Sequence, residues 1–302
     1  MSESFVSNLD PKAPTFTELK TGKYPWWDNL KNNEDVSIQI RKDNTIDVYY
    51  RGGAILDGLM YMKKNEVFTA SIHSKYIPLK DDDKQKRLQL SSKGVEFTEK
   101  IDTMEFAQLD DTTIKAVTTR IKNIFDHESE KTIQFDFAKD PCIIDAEFRF
   151  EDGSRVDLVR LDVNSKKIVL IEIKTIGDDR LFSDPAEDKK NIYHQLKTYH
   201  DNANAYKEEL LGYYTKILEI KKDLGLAKDP ICKLKDLNGW QIEPRPLLAF
   251  GDCTDNWIKN NAADIDIKIK DIAYGAYYFG NSKPKPSLDL IAKDYKNRHV
   301  FI

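Results

Sequence analysis

The chain has 302 residues and a formal net charge of −4, with 40% hydrophobic and 11% aromatic residues. This composition is typical of a folded globular protein and excludes a disordered one. The length suits one large domain or two ordinary ones. Because the net charge is negative, any binding of nucleic acid has to use a local basic face rather than a global field.

Targeting signals and cysteine motifs do not stand out in the sequence. No apolar run approaches the roughly 18 residues of a membrane span, and the N-terminus lacks the basic and apolar regions of a signal peptide. Cys142, Cys232 and Cys253 lie far apart without a CxxC pair, which argues against a zinc or iron–sulfur site and against a disulfide framework. We therefore expect three core cysteines in a cytoplasmic protein with no membrane contact.

The N-terminal third has the pattern of strands. Residues 36–40, 45–50 and 67–77 are rich in β-forming residues, with turn signals at 42–44 and at Gly52-Gly53. A polar, charge-rich stretch then follows at 80–94, which indicates a linker or a long surface loop. These features predict a β-rich module over residues 1–105.

Two segments of this module combine aromatic and basic residues: "KYPWWDN" (23–29) and "DVYYRGG" (47–53). Such residues can stack on bases and bind the phosphate backbone of a nucleic acid. They equally describe the core and rim of a β-module. Both interpretations are open at this point.

From residue 106 onward the pattern becomes mixed α/β. Residues 110–125 begin with an acidic cap, and Ile114, Val117, Ile121 and Ile124 follow at helical spacing. Three strand-like runs come next, joined by short turns, and a further strand is expected at 245–251. The runs are "CIIDAEFRF" (142–150), "SRVDLVRLD" (154–162) and "KIVLIEIKT" (167–175).

A long helix is predicted between the third and fourth strands. Asp184 has the character of an N-cap, Pro185 suits the first turn, and Glu187 completes a capping box. An apolar stripe continues at helical spacing to Ile217, with a possible break near residues 201–202. The order of helix, three strands, long helix and strand predicts a layered α/β architecture.

The second and third strands of this region place charges in an apolar setting. If Asn164-Ser165 form the turn, Asp157 lies directly opposite Glu172, with Cβ atoms about 4.5–5.5 Å apart. Lys174 lies on the same face, because side chains alternate along a strand. Two opposed carboxylates repel each other, and a divalent cation between them removes the repulsion. Oxygen ligands of this kind suit Mg²⁺ or Mn²⁺.

This arrangement has the outline of a site for phosphodiester hydrolysis. A bound cation polarises a phosphoryl oxygen and activates water, and a lysine stabilises the developing negative charge. The alternative is a structural ion cluster on the sheet. The spacing of Glu172 and Lys174 recurs elsewhere in the chain, but only here does it lie in a strongly apolar strand with an acid opposite.

"RVDLVRLDVNSKKIVLIEIKT" (155–175) resembles the core of the PD-(D/E)xK nuclease superfamily, the restriction-endonuclease-like fold. "QLKTY" (195–199) is similar to the Gln-x-x-x-Tyr helix motif of its RecB-type and λ-exonuclease-type branch. The resemblance covers roughly residues 110–255. It implies an αβββαβ core with a mixed central sheet, within a domain spanning 106–302.

The resemblance also implies roles for individual residues. Asp157, Glu172 and the backbone carbonyl of Ile173 would bind Mg²⁺ or Mn²⁺. Lys174 would be the catalytic lysine, Gln195 would help to orient the site, and Tyr199 would be auxiliary.

The sequence departs from the family pattern at two points. Val156, rather than proline, precedes the first acid. The helix-borne glutamate of the family has no clear counterpart, because Glu128 and Glu130 end the first predicted helix. We prefer Glu147, on the strand before, as the third carboxylate.

These observations predict a metal-dependent nuclease, with DNA favoured over RNA, acting in phage defence, restriction or repair. The module over 1–105 would recognise the target or a partner protein, or form a homodimer. Two alternatives are open: a catalytically idle binding module on the same fold, and an RNA-processing nuclease. The sequence has no P-loop motif, so any ATP-driven motor would be another chain.

Overall fold

The computed structural model describes residues 7–77, 84–98, 109–125, 129–188, 190–280 and 298–300. The chain folds into two compact units, residues 7–131 with 216–228, and residues 132–215 with 229–300. The boundary predicted near residue 105 lies outside the described residues, so the functional division at this position stays a prediction.

The first unit contains a six-stranded antiparallel sheet in which the strands follow chain order. Its strands are β1 (Ser37–Ile40), β2 (Ile46–Tyr50), β3 (Gly53–Met62), β4 (Val67–His73), β5 (Gln85–Ser91) and β6 (Gly94–Phe97), and its helices include α1 (Pro14–Leu19), α2 (Pro25–Asn32) and α3 (Asp111–Phe125). The strands expected at β1, β2 and β4 are confirmed, whereas β3 and β6 were not predicted.

The prediction of a linker or surface loop at 80–94 is wrong for the residues that the structure describes, because β5 occupies Gln85–Ser91. This strand alternates between exposed polar residues and buried positions, among them Leu88 and Leu90. An alternation with so few apolar residues is easily hidden within a charged stretch. Residues 80–83 lie outside the described part of the chain.

The aromatic residues of "KYPWWDN" belong to the core of this unit. Trp26 and Trp27 are buried in α2. The Trp26 indole donates a hydrogen bond to the Ser91 carbonyl at 3.0 Å and meets the Phe68 ring edge-on. Of the two interpretations of this segment, the structure therefore favours the packing one. Aromatic rings held in this way are not available to stack on bases.

The second unit contains a six-stranded mixed sheet in the order β12-β11-β10-β9-β8-β7. The strands β9, β10 and β11 run parallel, and the remaining neighbours are antiparallel. Its strands are β7 (Ile143–Arg149), β8 (Arg155–Asp162), β9 (Lys167–Thr175), β10 (Gln241–Gly251), β11 (Gly275–Tyr278) and β12 (Arg298–Val300). The mixed α/β class expected from the sequence is confirmed.

Apolar layers cover both faces of this mixed sheet. One layer includes Ile133 and Phe137 of α4 (Ser129–Ala138), packed against residues such as Ile171. The other includes Leu196 of α5 (Ile192–Ala205) and Ile265 of α7 (Asp255–Ile269). The strand β9, between β8 and β10, is therefore buried on both faces, which explains its nearly continuous apolar run.

The helix expected from residue 110 is confirmed as α3, and the Asp110 carboxylate accepts a hydrogen bond from the Thr113 amide at 2.8 Å. The prediction that Ile124 belongs to the buried stripe of this helix is wrong, because its side chain is 42% exposed. Phe125 is buried instead. The helix α4 was not predicted from the sequence.

The long helix begins later than expected. Asn191 is the N-cap of α5, and its side chain accepts a hydrogen bond from the Tyr193 amide at 2.7 Å. The predicted start at Asp184 is wrong: its carboxylate accepts from the Ala186 amide at 2.8 Å within a tight turn. The helix is interrupted at Tyr206, between the end of α5 and the start of α6 (Lys207–Asp223), rather than near residues 201–202.

The expectations about membrane-spanning segments and about buried cysteines can be compared with the described residues. None of their helices is both long enough and apolar enough to cross a membrane. Cys142 and Cys253 are buried as expected, but Cys232 is exposed, so the expectation of three core cysteines is wrong at that position.

Candidate active site

The register of the β8–β9 hairpin places Asp157 opposite Glu172. Leu158 pairs with Ile171, and the antiparallel register continues without a shift to the end of the hairpin. This is the last pair of the register, and Asp157 and Glu172 each lie one residue beyond it, where an unshifted continuation sets them opposite each other. The connection spans residues 163–166 instead of a two-residue turn, but the longer loop leaves the predicted register unchanged.

A third carboxylate continues this row across β7. Ala146 pairs with Leu158 and Phe148 pairs with Val156, so Glu147 falls opposite Asp157. Glu147, Asp157 and Glu172 thus occupy corresponding positions on three adjacent strands. The backbone of Glu147 has a φ of 60°, an uncommon conformation for a residue other than glycine.

The charged side chains of β8 and β9 at this site lie inside the protein, whereas Glu147 on β7 is partly exposed. Asp157, Glu172 and Lys174 are 7%, 1% and 2% exposed. Burial, and then the charge of Glu172, raise the pKa of the Asp157 carboxyl well above its ordinary range. Burying charges is costly unless they are paired, so the contacts of each group decide what the arrangement can do.

Glu172 is held by three side chains. Lys174 forms a buried ion pair with its Oε1. The Gln195 amide donates to Oε1 at 2.6 Å, and the Tyr199 hydroxyl lies 2.9 Å from Oε2. The Lys174 ammonium also donates to the carbonyl oxygen of Ile173 at 3.0 Å. Lys174 therefore links two of the groups expected to bind a metal.

Gln195 and Tyr199 lie one turn apart on α5 and face the same way, as the motif predicts. The Gln195 amide also donates to the Tyr199 hydroxyl at 2.8 Å, and that hydroxyl contacts the Arg155 carbonyl. Burial and the charge of Glu172 raise the pKa of Tyr199, so the hydroxyl stays protonated. The pair fixes the orientation of the Glu172 carboxylate.

Asp157 is less fully satisfied than Glu172. Its Oδ2 accepts a hydrogen bond from the Ile173 amide at 2.8 Å. Its Oδ1 accepts none from the residues that the structure describes. An acidic oxygen without a donor, beside a second carboxylate and the Ile173 carbonyl, is a set of hard oxygen donors that fits Mg²⁺ or Mn²⁺.

Glu147 is held at the edge of this row. Its Oε1 accepts from the Gln134 amide at 2.8 Å, and its Oε2 pairs with Arg155 Nε at 2.9 Å. Gln134 lies on α4 and also donates to the Asp157 carbonyl at 3.1 Å. Within the described ranges, no three His, Cys, Asp or Glu side chains already converge as a metal site. The hydrogen-bonded state of Glu147 is consistent with this.

The alternative third carboxylates are placed differently. Glu130 lies in the first turn of α4, and Glu128 lies outside the described residues. Of the three candidates, Glu147 is the one shown in register with Asp157, and its charge contributes to the raised pKa of Asp157.

Three further residues near the site were not found from the sequence. Gln134 and Arg155 both contact Glu147. Asp178 follows β9, and its carboxylate accepts hydrogen bonds from Arg180 Nε at 2.8 and 3.1 Å. Burial raises the pKa of Asp178, but the hydrogen bonds from Arg180 and the charges of Arg180 and Lys174 outweigh burial. The net pKa is therefore lowered. The cluster "GDDR" (177–180), one residue after the strand, was the signal that could have indicated Asp178.

Comparison of the chain with protein-family models, with curated proteins and with solved structures gave no match. The function of the protein is therefore inferred from the residues and geometry of this site.

We predict that Asp157→Asn stabilises the metal-free protein by about 1–3 kcal/mol at pH 7, because it removes a buried charge and its repulsion with Glu172. The raised pKa means that the folded wild type binds more protons than the unfolded chain above about pH 4. The free energy of unfolding of the wild type therefore falls as the pH rises through this range, and the variant lacks that contribution. Urea unfolding in EDTA at several pH values measures both effects.

Glu243→Gln is the matched control. Burial alone would raise the pKa of Glu243. Its ion pairs with Lys167 at 2.7 Å and Arg245 at 3.2 Å lower the pKa by more than burial raises it, so the net shift is downward. Neutralising this carboxylate should destabilise the protein at pH 7. Equal effects of the two substitutions would contradict the assignment of unfavourable charge to Asp157.

We also predict that Tyr199→Phe lowers the free energy of unfolding by about 1–3 kcal/mol, because it removes a buried hydroxyl that contacts the Glu172 carboxylate. Tyr193→Phe on the same helix is the control, since the Tyr193 hydroxyl makes no hydrogen bond to the described residues. Its effect should stay within about 0.5 kcal/mol. Equal losses in denaturant titrations of the two variants would show that the Tyr199 hydroxyl does not support Glu172.

Proposed function

We propose that this protein is a Mg²⁺- or Mn²⁺-dependent nuclease that hydrolyses phosphodiester bonds in DNA. The observation that carries the proposal is the buried pair of Asp157 and Glu172, opposed across β8 and β9, with Lys174 beside them. A sheet gains little stability from such charges, because apolar residues of similar size do as well or better. A buried carboxylate with a shifted pKa, such as Asp157, is instead typical of a functional site.

The metal would be held by Asp157, Glu172 and the carbonyl oxygen of Ile173. When bound, it would polarise a phosphoryl oxygen and lower the pKa of a coordinated water. The protein contributes the rigidity of this ligand set. The amide of Ile173 fixes Asp157, while Gln195 and Tyr199 fix Glu172.

Lys174 would act on the substrate. Its ammonium ends at the Ile173 carbonyl and the Glu172 carboxylate, close to where the phosphate would lie. From there it would donate to the phosphate oxygens and stabilise the negative charge that develops on them. The low dielectric of the buried site makes this interaction stronger than it would be in water.

The order of elements supports the same proposal. The chain passes from α4 through β7, β8 and β9 to α5, and α6 precedes β10. With α6 as an addition, this order is compatible with the αβββαβ core that the resemblance to the PD-(D/E)xK superfamily implies, and the quoted motifs fall on β8, β9 and α5. Restriction, phage defence or repair in the cytoplasm is the setting that we propose, with recognition of the target or of a partner assigned to the N-terminal module.

One observation favours a second candidate, a binding module with an idle site. Lys174 already pairs with Glu172, and a permanent pair of this kind would leave the cluster structural. A cleavage panel of linear, circular, single-stranded and modified DNA, together with RNA, separates the candidates. Cleavage confined to RNA would assign the site to RNA processing, and no cleavage of any substrate with either metal would leave the binding module.

We predict that Lys174→Ala abolishes metal-dependent cleavage while circular dichroism shows an intact fold. Lys167→Ala is the control on the same strand: Lys167 pairs with Glu243 at the opposite end of β9. This control should retain cleavage close to the wild-type rate. A loss of activity in both variants would point to damage of β9 rather than to a catalytic role for Lys174.

We further predict that Mg²⁺ or Mn²⁺ raises the thermal unfolding midpoint of the wild type, and that Asp157→Asn removes most of this shift. A ligand that binds only the folded state stabilises it by about 2.7 kcal/mol at a concentration of 100 times its Kd. A calorimetric titration provides the second measurement. Equal stabilisation of the wild type and the variant would place the cation elsewhere.

A further inference from the structure

Two arginines face each other beside the carboxylate row. Arg149 of β7 and Arg155 of β8 are directly paired residues, and both are exposed. Like charges at directly opposed positions disfavour the pairing of strands. The strand β7 ends the strand order of the sheet, so the pair lies at an edge that a long ligand can approach.

The two guanidinium groups have few partners of their own. Arg155 Nε pairs with Glu147 Oε2 at 2.9 Å, and the remaining nitrogens of Arg155 make no hydrogen bond to the described residues. Arg149 makes no ion pair with the part of the chain that is described. Among the described residues, Glu147 is therefore the carboxylate that pairs with either arginine, and both side chains are exposed to solvent.

The position of the pair relates it to the proposed active site. Arg155 precedes Asp157 by two residues, so both lie on the same face, about 6–7 Å apart along the strand. Glu147 connects them, because it pairs with Arg155 and lies opposite Asp157. A ligand bound to the arginines would thus lie next to the carboxylate row.

The chemistry of the pair selects an anion with oxygen acceptors. An arginine presents a planar fork of donors that matches two oxygens of a phosphate. A nucleic acid approaching three carboxylates is repelled unless nearby cations offset the repulsion, and the net charge of the chain provides no such attraction. Arg149 and Arg155 provide it at the required place.

We propose that Arg149 and Arg155 form a phosphate-binding subsite that holds a backbone phosphate of the nucleic acid adjacent to the bond that is cut. This assignment rests on the proposed nuclease function for its substrate. Contacts to the backbone position a strand without reading its bases. The subsite therefore acts equally on all sequences, and any sequence preference arises elsewhere.

The test is fluorescence anisotropy with labelled single- and double-stranded DNA and with RNA of the same sequence, in EDTA and with Ca²⁺ in place of Mg²⁺. Arg149→Gln and Arg155→Gln are compared with Lys235→Gln, an exposed lysine in the connection before β10. Each arginine variant should bind several-fold more weakly, uniformly across sequences. The slope of log affinity against log salt should decrease by about 1 for each lost phosphate contact.

Arg149→Gln is the more informative variant, because Arg155→Gln also leaves Glu147 without its ion pair. Wild-type affinity and salt slope in Arg149→Gln would overturn the subsite, as would equal losses in Lys235→Gln or an absence of nucleic-acid binding by the wild type. Weaker binding with a reduced slope supports it even if no cleavage is found, in which case the nuclease proposal fails alone. Where cleavage is found, KM should rise more than kcat falls.

Discussion

The placement of two buried carboxylates opposite each other in one hairpin is the constraint on which the site depends. Asp157 and Glu172 directly follow the last recorded pair of β8 and β9, and both carboxylates are buried. Without a cation the pair is tolerable because Lys174 neutralises Glu172, and because Asp157 shifts its pKa upward. The fold thus accommodates two buried carboxylates beside a single buried ammonium group.

The three carboxylates of the site differ in how many hydrogen-bond and ion-pair partners they have. Glu172 is fully held by Lys174, Gln195 and Tyr199, whereas Asp157 has one oxygen without a donor among the described residues. Glu147 lies in register with both, yet it is bound by Gln134 and Arg155. Asp157 therefore offers the open acidic oxygen of the row, whereas a cation would have to displace hydrogen-bond partners from Glu172 and from Glu147.

The hairpin could be predicted from the sequence because its signals are local. A continuous apolar strand and a short turn fix the register, and the register alone places Asp157 opposite Glu172. The pairing of Gln195 with Tyr199 follows equally from helical spacing. Gln134 was missed because α4 was not predicted, so nothing in the sequence related it to Glu147. The contacts of Arg155 and Asp178 are more local, within the β7–β8 hairpin and within "GDDR", and were overlooked. The start of α5 was misplaced because Asp184 and Asn191 both have capping chemistry, and only tertiary packing selects Asn191.

Whether the opposed carboxylates bind a cation decides between a catalytic and a structural cluster. Anomalous diffraction from crystals of the wild-type protein soaked in Mn²⁺ answers this question without relying on activity. We expect an anomalous peak within coordination distance of Asp157, Glu172 and the Ile173 carbonyl, with the Lys174 ammonium moved off that carbonyl. Crystals that show no peak there, with Lys174 still bridging Glu172 and Ile173, would contradict the assignment of a cation site.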